Sequence, residues 1–521
     1  MKSYPLSFIL FPMFFIVCNV ITQTASAFAG GYAYYISANG NDSNNGTKLH
    51  PWQTLSRLSK AQLQPGDRVY LQGNAIFRET FRLHGISGTK NSPVIIQSDS
   101  KFKAVIHAKD SAAVVLDSCA YIFISNITAS GSGRKKGNTT DGIIVKSSNH
   151  ISVTDVNISG FQKSGLLIQN SKDITARNVI AHNNGFAGIY TSGEYGDKLH
   201  SRNIRIVRCK AYNNPGDPTN FGNHSGNGIL AGFCTNIMID SCVANNNGWD
   251  MPRKGNGPVG IWCYEADSVI IQHCISYENK TSKGGEDGGG FDFDGGVTNS
   301  IIQYCLSYRN QGSAFGIFQY DGASPWHDNT IRYCISEDDG NVSAAGANAY
   351  VWSSAHDSSK FKNFLFYNNT LYNKWGAAVA YSSESEHSNF HFYNNIFVAS
   401  NEIIKGDYAD DIFLANDWWS LQYHFKIDSL ADFSQWIDQH GKEKFDIRLY
   451  GLNENPAFKN SGHATLDDVL LLSSFNNYQL PAYSPIRLAG IDLQRLFNID
   501  MCLTDFNGMK VKSSCIGACN K

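Results

Sequence analysis

The sequence has almost no excess of charge. Its 521 residues include 43 lysines and arginines against 45 aspartates and glutamates, which gives a net charge of −2. Binding to nucleic acids or to anionic membranes usually depends on a basic surface. We therefore expect neither as a partner. After the first residues, no apolar run is long enough to span a bilayer.

Two common site motifs are also missing. No His/Cys set has the close spacing of zinc ligands, and no glycine-rich segment joins a strand to a helix as a phosphate loop does. Cysteine is present, but twelve residues in so long a chain do not indicate a small disulfide scaffold. Five recur in one register and are predicted to be buried thiols: Cys209, Cys242, Cys274, Cys305 and Cys334. One disulfide is expected in the tail, among Cys502, Cys515 and Cys519.

The first residues have the pattern of a secretory signal. Lys2 supplies a positive start, Leu6–Ile21 is mostly apolar, and Ala25–Ala27 offers a cleavage site. A transmembrane anchor is the alternative, but Pro5 and Pro12 and the lack of a charged stop-transfer flank argue against it. We expect the mature chain to be secreted, extracellular or periplasmic, with no membrane contact after the signal is removed.

One short sequence motif repeats from about Asn126 to Asn395, roughly every 21 to 35 residues. In each copy apolar residues alternate and lead to an Asn or a Cys. Alternation with period two is typical of strands, and a fixed repeat of this length is typical of stacked units. Strands that follow one another by one coil must run parallel, so the pattern predicts a β-solenoid. Asn side chains in one register are expected to hydrogen-bond along the stack.

A second column of strands begins at a Gly or an Ala. Its strands start at Gly142, Gly165, Gly188, Gly228, Gly260, Gly290, Ala314, Ala349 and Ala378. The first and third residues after the start are mostly apolar and are predicted to face the core, whereas the second and fourth vary and are predicted to face outward.

Segments outside the repeat are expected to cover the two ends of the solenoid, where strand edges would otherwise be open. Pro51–Leu58 has helical spacing, and Leu430–Gln439 is predicted as a short helix with Ser429 as its N-cap. After Asn395 the period stops, and the tail is expected to fold back on the flank. The predicted organisation is a signal peptide at 1–27, an N-terminal cap with the first coils at 28–110, the β-helix at 111–400 and a C-terminal cap at 401–521.

Several segments resemble a known group of proteins. They are Tyr35–Thr47, Gly66–Leu71, the coil repeats, Asn455–Phe458, Ser484–Gly490, Asp505–Gly508 and Ile516–Ala518. Together they are similar to secreted right-handed parallel β-helix proteins of the pectate-lyase superfamily. The resemblance implies an all-β fold, a right-handed parallel β-helix, and a polysaccharide or oligosaccharide as partner. It leaves the reaction open, because this superfamily includes lyases, hydrolases, epimerases and non-catalytic proteins.

Three consecutive connections into the Gly/Ala column are long: 214–227, 247–259 and 279–289. They are predicted to form one wall of a groove, because functional loops of solenoids collect at one edge. Outward residues beside this wall are the candidate site. The candidate catalytic carboxylates are Asp292 and Asp294, with Glu265 or Asp321 as an alternative partner. The candidate sugar-binding residues are Trp262, Tyr264, Phe318, Tyr320 and His224.

Asp292 and Asp294 are two residues apart in a strand, so they share a face at about 6.6 Å along the backbone. Such a pair suits the acid and the base of a glycoside hydrolase, and like charges on one face raise one of the two pKa values. Hydrolysis of this kind requires no cofactor. We expect the enzyme to be a monomer.

Two alternatives remain open from the sequence. Glu286 and Asp287 join the two aspartates in one acidic segment that could bind Ca²⁺, as a calcium-dependent lyase or epimerase on uronates would require. No Lys or Arg occupies the outward strand positions nearby, although four cations of the wall loops could reach over: Arg253, Lys254, Lys280 and Lys283. The third reading is a glycan-binding protein without catalytic activity.

Overall fold

The repeats form three faces of parallel strands that coil around one core. The computed structural model describes residues 30–197, 201–342, 346–383, 385–512 and 514–519. The predicted signal peptide, 1–27, lies outside the described residues. Residues 31–521 belong to one unit. Across the described part of the chain, no helix is both long enough and apolar enough to cross a membrane.

The first face carries the Gly/Ala column. Its strands are Phe81–His84, Val114–Asp117, Ile143–Lys146, Ser164–Gln169, Ala187–Ser192, the first half of Asn227–Asp240, the first half of Val259–Gln272, Gly289–Phe293, Phe315–Gln319, Ala347–Ser353, Ala377–Tyr381 and Ile404–Lys405. The two longest strands, Asn227–Asp240 and Val259–Gln272, run unbroken into the second face and join both faces into one sheet.

The second face carries the segments that lead to the repeated Asn or Cys. Its strands are Ala33–Ile36, Arg68–Leu71, Val94–Ser98, Ala120–Ser125, Asn149–Thr154, Lys172–Arg177, Ser201–Val207, the second halves of the two long strands, Ile301–Gln303, Trp326–Arg332, Phe361–Tyr367, Ser388–Tyr393 and Ile412–Leu414.

The third face was not predicted. Its strands are Ile76–Phe77, Ala104–Lys109, Ile127–Gly131, Asn157–Ser159, Ile180–His182, Lys210–Tyr212, Val243–Asn245, Ile275–Tyr277, Leu306–Tyr308, Ile335–Glu337, Thr370–Asn373, Ile396–Ala399 and Asp417–Ser420. Most have only three or four residues, and so short a segment shows no clear alternation in sequence. One antiparallel pair, Lys444–Phe445 with Arg448–Leu449, lies outside the coils.

The inward and outward positions of the first face alternate as predicted. Ile261, Phe291 and Phe315 occupy one inward row and are fully buried. The next residue of each strand faces outward. Trp262 follows Ile261 and Asp292 follows Phe291, and these two outward residues are paired across neighbouring coils. This register places Asp292 on the outward side of the first face.

The Asn/Cys ladder is confirmed from Cys209 onward and continues one coil beyond the predicted end of the period. The backbone N–H of Cys334 donates to Asn369 Oδ1 at 2.9 Å. Asn369 and Asn395 donate in the same way to the next side chain, and the last of these bonds, from Asn395 to Asn416 Oδ1, is 2.9 Å long. The coils therefore extend past residue 400, to the strand Asp417–Ser420.

The earlier part of the predicted ladder is wrong. The strand register places Ile127, Val156 and Val179 in the slot that Cys209 fills later. Asn126 and Asn178 stand one residue earlier, with φ of 56° and 51°. Asn tolerates this left-handed conformation better than most residues. The same residue type therefore serves two neighbouring positions, which spacing in the sequence does not separate.

The end segments differ from prediction in their bounds. A helix covers Leu55–Ser59, with Leu55 and Leu58 buried in the core and Thr54 as N-cap. The second helix is Phe433–His440 and is capped by Asp432 instead of Ser429. Ser429 lies in a tight turn that Ile427 and Leu430 close with two backbone hydrogen bonds, so the helix starts later.

The tail packs along the flank of the coils. It contains the helix Leu493–Phe497 and the 3₁₀ helices Val469–Ser474 and Pro485–Leu488. Its apolar side chains cover outward tyrosines of the coils in two clusters. The predicted tail disulfide is wrong, because Cys502, Cys515 and Cys519 are free thiols. The five ladder cysteines are buried free thiols, as predicted.

Candidate active site

A cleft of about 900 Å³ lies on the first face. All three long loops contribute to its lining, with Asn223 and His224 from the first, Arg253 and Asn256 from the second, and Glu286 and Asp287 from the third. The prediction that these loops form one wall is confirmed. The floor consists of outward side chains of the strands that the loops precede.

A second Asn ladder, which was not predicted, holds the start of each wall loop. The backbone N–H of Asn214 donates to Asn247 Oδ1 at 3.1 Å, that of Asn247 to Asn279 Oδ1 at 3.3 Å, and that of Asn279 to Asn310 Oδ1 at 2.9 Å. All four residues are buried. A satisfied buried polar network specifies one arrangement of the segments it joins. The ladder therefore fixes the stacking of the loops against each other.

The floor follows from the strand register. Trp262, Asp292, Gly316 and Tyr350 occupy one outward row on four successive coils. Neighbouring strands of a sheet are about 4.8 Å apart, so Asp292 has an indole on one side and the glycine on the other. The absence of a side chain at Gly316 leaves room for the Asp292 carboxyl group.

Asp292 is the most perturbed carboxyl group of the cleft. Its residue is 2% exposed, and its Oδ1 has no hydrogen-bond partner among the described residues. Burial raises the pKa of Asp292 well above its ordinary value, and the nearby carboxylates Asp294 and Asp287 raise it further. Burial therefore favours the protonated form of Asp292, in which the group can donate a proton into the cleft.

Asp294 lies in a more polar position on the same face. Its Oδ1 accepts a hydrogen bond from the backbone N–H of Gly295 at 2.7 Å, which favours the ionised form. Burial raises the pKa of Asp294 to about 6, and the charge of Glu265 also raises it. Asp294 therefore favours the ionised form at neutral pH, whereas the burial of Asp292 favours its protonated form. Two carboxyl groups with different environments and different protonation states suit the roles of base and acid.

Asp287 is a third acid in the cleft. Its Oδ2 accepts a hydrogen bond from the backbone N–H of Gly257 at 2.7 Å. Burial raises the pKa of Asp287 to about 7, and the charges of Asp294 and Glu286 add to the effect. Asp287 thus belongs to the acidic set around Asp292, but it stands on the wall and not on the floor.

The two alternative catalytic carboxylates lie elsewhere. Glu265 is 7% exposed and is not part of the cleft lining. Its Oε1 accepts a hydrogen bond from the backbone N–H of Ser324 at 2.8 Å. Asp321 is exposed on a turn outside the cleft. The geometry therefore groups Asp292 with Asp294 and gives neither alternative direct access to a bound ligand.

The predicted aromatic residues line the cleft, and additional ones extend it. Trp262, Tyr264, Phe318 and Tyr320 are all lining residues. Sequence reasoning missed Tyr195, Phe233, Tyr350 and Trp352. Tyr350 and Trp352 could have been found by extending the outward rows by one coil. Tyr195 and Phe233 gave no such signal, because their positions depend on the path of the chain after a strand.

His224 is a packed, neutral side chain of the wall. Burial, with the nearby charge of Arg253, lowers the pKa of His224 to about 3. The Asn227 amide donates to His224 Nδ1 at 3.0 Å, and Asn227 Oδ1 accepts the indole N–H of Trp262 at 3.0 Å. Asn227, which sequence reasoning missed, therefore fixes both rings. The remaining His224 nitrogen is available to a ligand as a neutral donor.

The acidic residues that could bind Ca²⁺ lie in different parts of the cleft. Within the described ranges, no group of three or more His, Cys, Asp or Glu side chains is arranged to hold a metal ion. Glu286 is exposed, whereas Asp287 is bonded to the backbone of Gly257. The residues that a Ca²⁺ site would use are therefore spread over wall and floor.

The fold and this outward site define a β-helix protein with a cleft on one face. The chain belongs to the family described as Pel9A-like, right handed beta helix region, whose model matches residues 34–348. The helix is thus right-handed, as the resemblance implied. Comparison with curated proteins gives no match.

Solved structures that match this chain include a lacto-N-biosidase and a pectate lyase. The GH136 lacto-N-biosidase from Eubacterium ramulus is 17% identical, with a TM-score of 0.51 over 72% of this chain and 67% of that one. The pectate lyase Pel9A is 16% identical, with a TM-score of 0.42 over 95% of this chain and 98% of that one. At such identities the likeness concerns the fold.

Proposed function

We propose that this protein is a glycoside hydrolase that cleaves a polysaccharide or oligosaccharide bound in the cleft. The observation that carries the proposal is the pair Asp292 and Asp294 in one cleft, of which Asp292 is buried and Asp294 accepts a backbone hydrogen bond that favours its ionised form. Aromatic side chains on both sides of the pair offer flat apolar surfaces to sugar rings. A similar β-helix is the fold of a lacto-N-biosidase.

Each carboxyl group has a defined role in this proposal. Asp292 donates its proton to the glycosidic oxygen as the bond to the anomeric carbon breaks, so that the leaving sugar departs as a neutral alcohol. Asp294 accepts a proton from a water molecule, whose oxygen forms the new bond to the anomeric carbon. The buried position of Asp292 keeps it protonated until the substrate is bound.

Glu265 has a positioning role below the pair. Its charge acts on Asp294, and its carboxylate contacts the phenol of Tyr320, which lines the cleft. Glu265 also has a φ of 43°, a conformation that is uncommon for a residue other than glycine. We expect its replacement by Gln to shift the pH dependence of turnover more than its maximum.

The proposal is tested on a panel of glycans, with and without EDTA. Reducing ends and the absorbance of unsaturated uronates are followed in parallel. Hydrolysis produces reducing ends without that absorbance and does not depend on EDTA. Absorbance of an unsaturated product would contradict the proposal. Full turnover by the Asp292→Asn and Asp294→Asn variants would also contradict the proposal.

One observation favours a lyase as the second candidate. The guanidinium of Arg253 lies in the cleft, and its charge acts on Asp287. A lyase on uronates needs a cationic or basic group beside the substrate, which the outward strand positions lack. Loss of eliminated product in Arg253→Gln would support this candidate. Binding without any product in either assay would instead support a glycan-binding protein.

We also propose that the protein is secreted after cleavage behind Ala27. Support comes from the positive start, the apolar segment and the small residues that end it. Expression of the full chain, followed by N-terminal sequencing of the exported protein, tests this. An N-terminus at Phe28 is expected, and a chain that stays membrane-bound would contradict the proposal.

A further inference from the structure

The charges of the cleft are unequal. Among the residues that the structure describes, its lining contains one cationic side chain, Arg253, against four acids: Glu286, Asp287, Asp292 and Asp294. Arg253 is also partly occupied by a contact within the protein, because its Nη1 donates a hydrogen bond to the carbonyl oxygen of Gly222 at 2.7 Å. His224 adds no charge near neutral pH, since its pKa is lowered to about 3.

The acids are part of a built site and not of a solvated acidic surface. Asp292 is 2% exposed, lines the cleft, and has no partner for Oδ1 among the described residues. An unpaired polar atom in a buried position is costly, so it indicates a ligand that completes its hydrogen bonding.

Aromatic residues stand at both ends of the acidic centre. Toward the N-terminal coils, the Phe233 and Tyr264 rings are 5.3 Å apart and T-shaped. Toward the C-terminal coils, Phe318 meets Trp352 edge to face at 6.2 Å. Tyr264 and Trp352 are three coils apart, or about 14 Å along the helix axis. This distance exceeds the length of one sugar ring.

We propose that the cleft takes an uncharged glycan that lies along the helix axis, with at least one sugar on each side of Asp292 and Asp294. This inference rests on the proposed function and adds the substrate class and its orientation. The aromatic groups at the two ends bind the apolar faces of successive rings, and the acids reach the bond between them.

The charge balance discriminates against uronate chains. Each uronate carboxylate would enter a partly buried cleft that already contains ionised acids, and like charges at short range are costly there. Such a repulsive element gives specificity against charged relatives of the substrate. Neutral hydroxyl groups meet no such barrier and can accept or donate hydrogen bonds to the same acids.

Binding by the Asp292→Asn variant tests the charge preference without turnover. Burial favours the protonated, uncharged form of Asp292, and Asn reproduces the charge and nearly the shape of that form. The variant is applied to an array of neutral, uronate and sulfated glycans, and the best neutral ligand is then compared with its own C6-oxidised counterpart. We expect the oxidised chain to bind at least tenfold more weakly than the neutral chain. This difference in affinity should become smaller at high salt.

A second substitution tests the cause of the preference. Adding Asp287→Asn to the Asp292→Asn variant should reduce the difference in affinity between the neutral and the oxidised chain severalfold. Adding Asp438→Asn instead, which changes an exposed acid on a distant helix, should not change this difference. Equal or tighter binding of the oxidised chain overturns the inference, as does an array signal confined to acidic glycans or absent. Binding of neutral glycans that wild-type protein never cleaves would contradict the hydrolase and leave this inference standing.

Truncation of the end aromatics tests the orientation. Phe233→Ala and Trp352→Ala should each weaken binding of a long neutral chain about tenfold. Trp375→Ala removes an exposed indole outside the cleft lining and should leave the binding of this chain unchanged. If only one of the two cleft variants weakens binding at every chain length, sugars occupy one side alone and the proposed orientation is wrong.

Discussion

Asp292 and Gly316 are paired across neighbouring coils, and a Cβ atom at Gly316 would lie 2.6 Å from Asp292 Oδ1. Real Cβ atoms do not approach an oxygen so closely. The same added atom would lie 2.8 Å from the Phe318 ring. The glycine is therefore required by the position of the carboxyl group and of the neighbouring aromatic ring.

Gly316→Ala is expected to lower turnover by about 100-fold, because a displacement of about 1 Å of a reacting group has effects of this size. The overpacking should lower the free energy of unfolding by only about 1–3 kcal/mol, so the protein remains folded. Steady-state kinetics and denaturant unfolding measure the two effects. Gly222→Ala is the matched control, since a Cβ there meets nothing within 4 Å. Wild-type turnover in Gly316→Ala would show that Asp292 is not the acid.

The pH dependence of kcat/KM should have an acidic limb with an apparent midpoint near pH 6. Asp294 acts as base only when ionised, and its pKa is raised to about 6. Activity therefore rises as pH increases through this value, and falls again where Asp292 loses its proton. Interacting acids titrate together, so the midpoints belong to the set.

Asp294→Asn should remove the acidic limb and lower kcat about 10²–10⁴-fold, as expected for loss of a general base. The exposed carboxylate of Asp438 provides the control, and Asp438→Asn should retain both the limb and the rate. If the pH profile of Asp294→Asn kept its acidic limb, the midpoint would belong to another group. Asp287 would then be the first group to test.

The fold could be predicted where one local pattern repeats. Alternation in the first and second faces gave the inward and outward positions, and Asp292 and Trp262 stand where they were expected. The third face is too short for such a pattern. The early ladder positions failed because Asn suits both an inward slot and a left-handed turn, as Asn126 shows with its φ of 56°.

The candidate site could be predicted only as far as residues follow the strand register. Glu265 lies at the bend where the strand Val259–Gln272 passes from the first face to the second, with a φ of 43°, and Asp321 lies after the end of the strand Phe315–Gln319. At both places the direction of the chain, and not alternation, decides which way a side chain points. Protonation states were also beyond the sequence. They depend on the burial of Asp292 and on its distance in space from Asp287, which three-dimensional packing alone determines.

Thiol titration tests the correction in the tail. In the described chain, none of the eleven cysteines forms a disulfide. A protein produced from Phe28 onward, once denatured, should therefore react with eleven equivalents of a thiol reagent without prior reduction. A reducing agent should leave Tm unchanged, because no cross-link is removed. A count two lower, with a Tm that falls on reduction, would restore the tail disulfide.

Glu443 ends the inward ladder and should make stability depend on pH. It is fully buried, and its carboxylate accepts hydrogen bonds from the Asn416 amide at 2.8 Å and the Trp418 indole at 2.9 Å. Burial raises the pKa of Glu443 from 4.5 to about 7. The folded state thus favours the protonated form. The stability that Glu443 contributes is fully present below about pH 4.5 and is lost as pH rises through 7.

The free energy of unfolding of wild-type protein should therefore fall relative to that of Glu443→Gln as pH rises from 4.5 to 8. At about 1.4 kcal/mol per pKa unit, the relative change is on the order of 3 kcal/mol. Urea unfolding at a series of pH values measures it, with Glu454→Gln, an exposed carboxylate of the tail, as control. A constant difference between wild type and Glu443→Gln over this range would mean that Glu443 is ionised in the folded protein, and that its hydrogen bonds outweigh its burial.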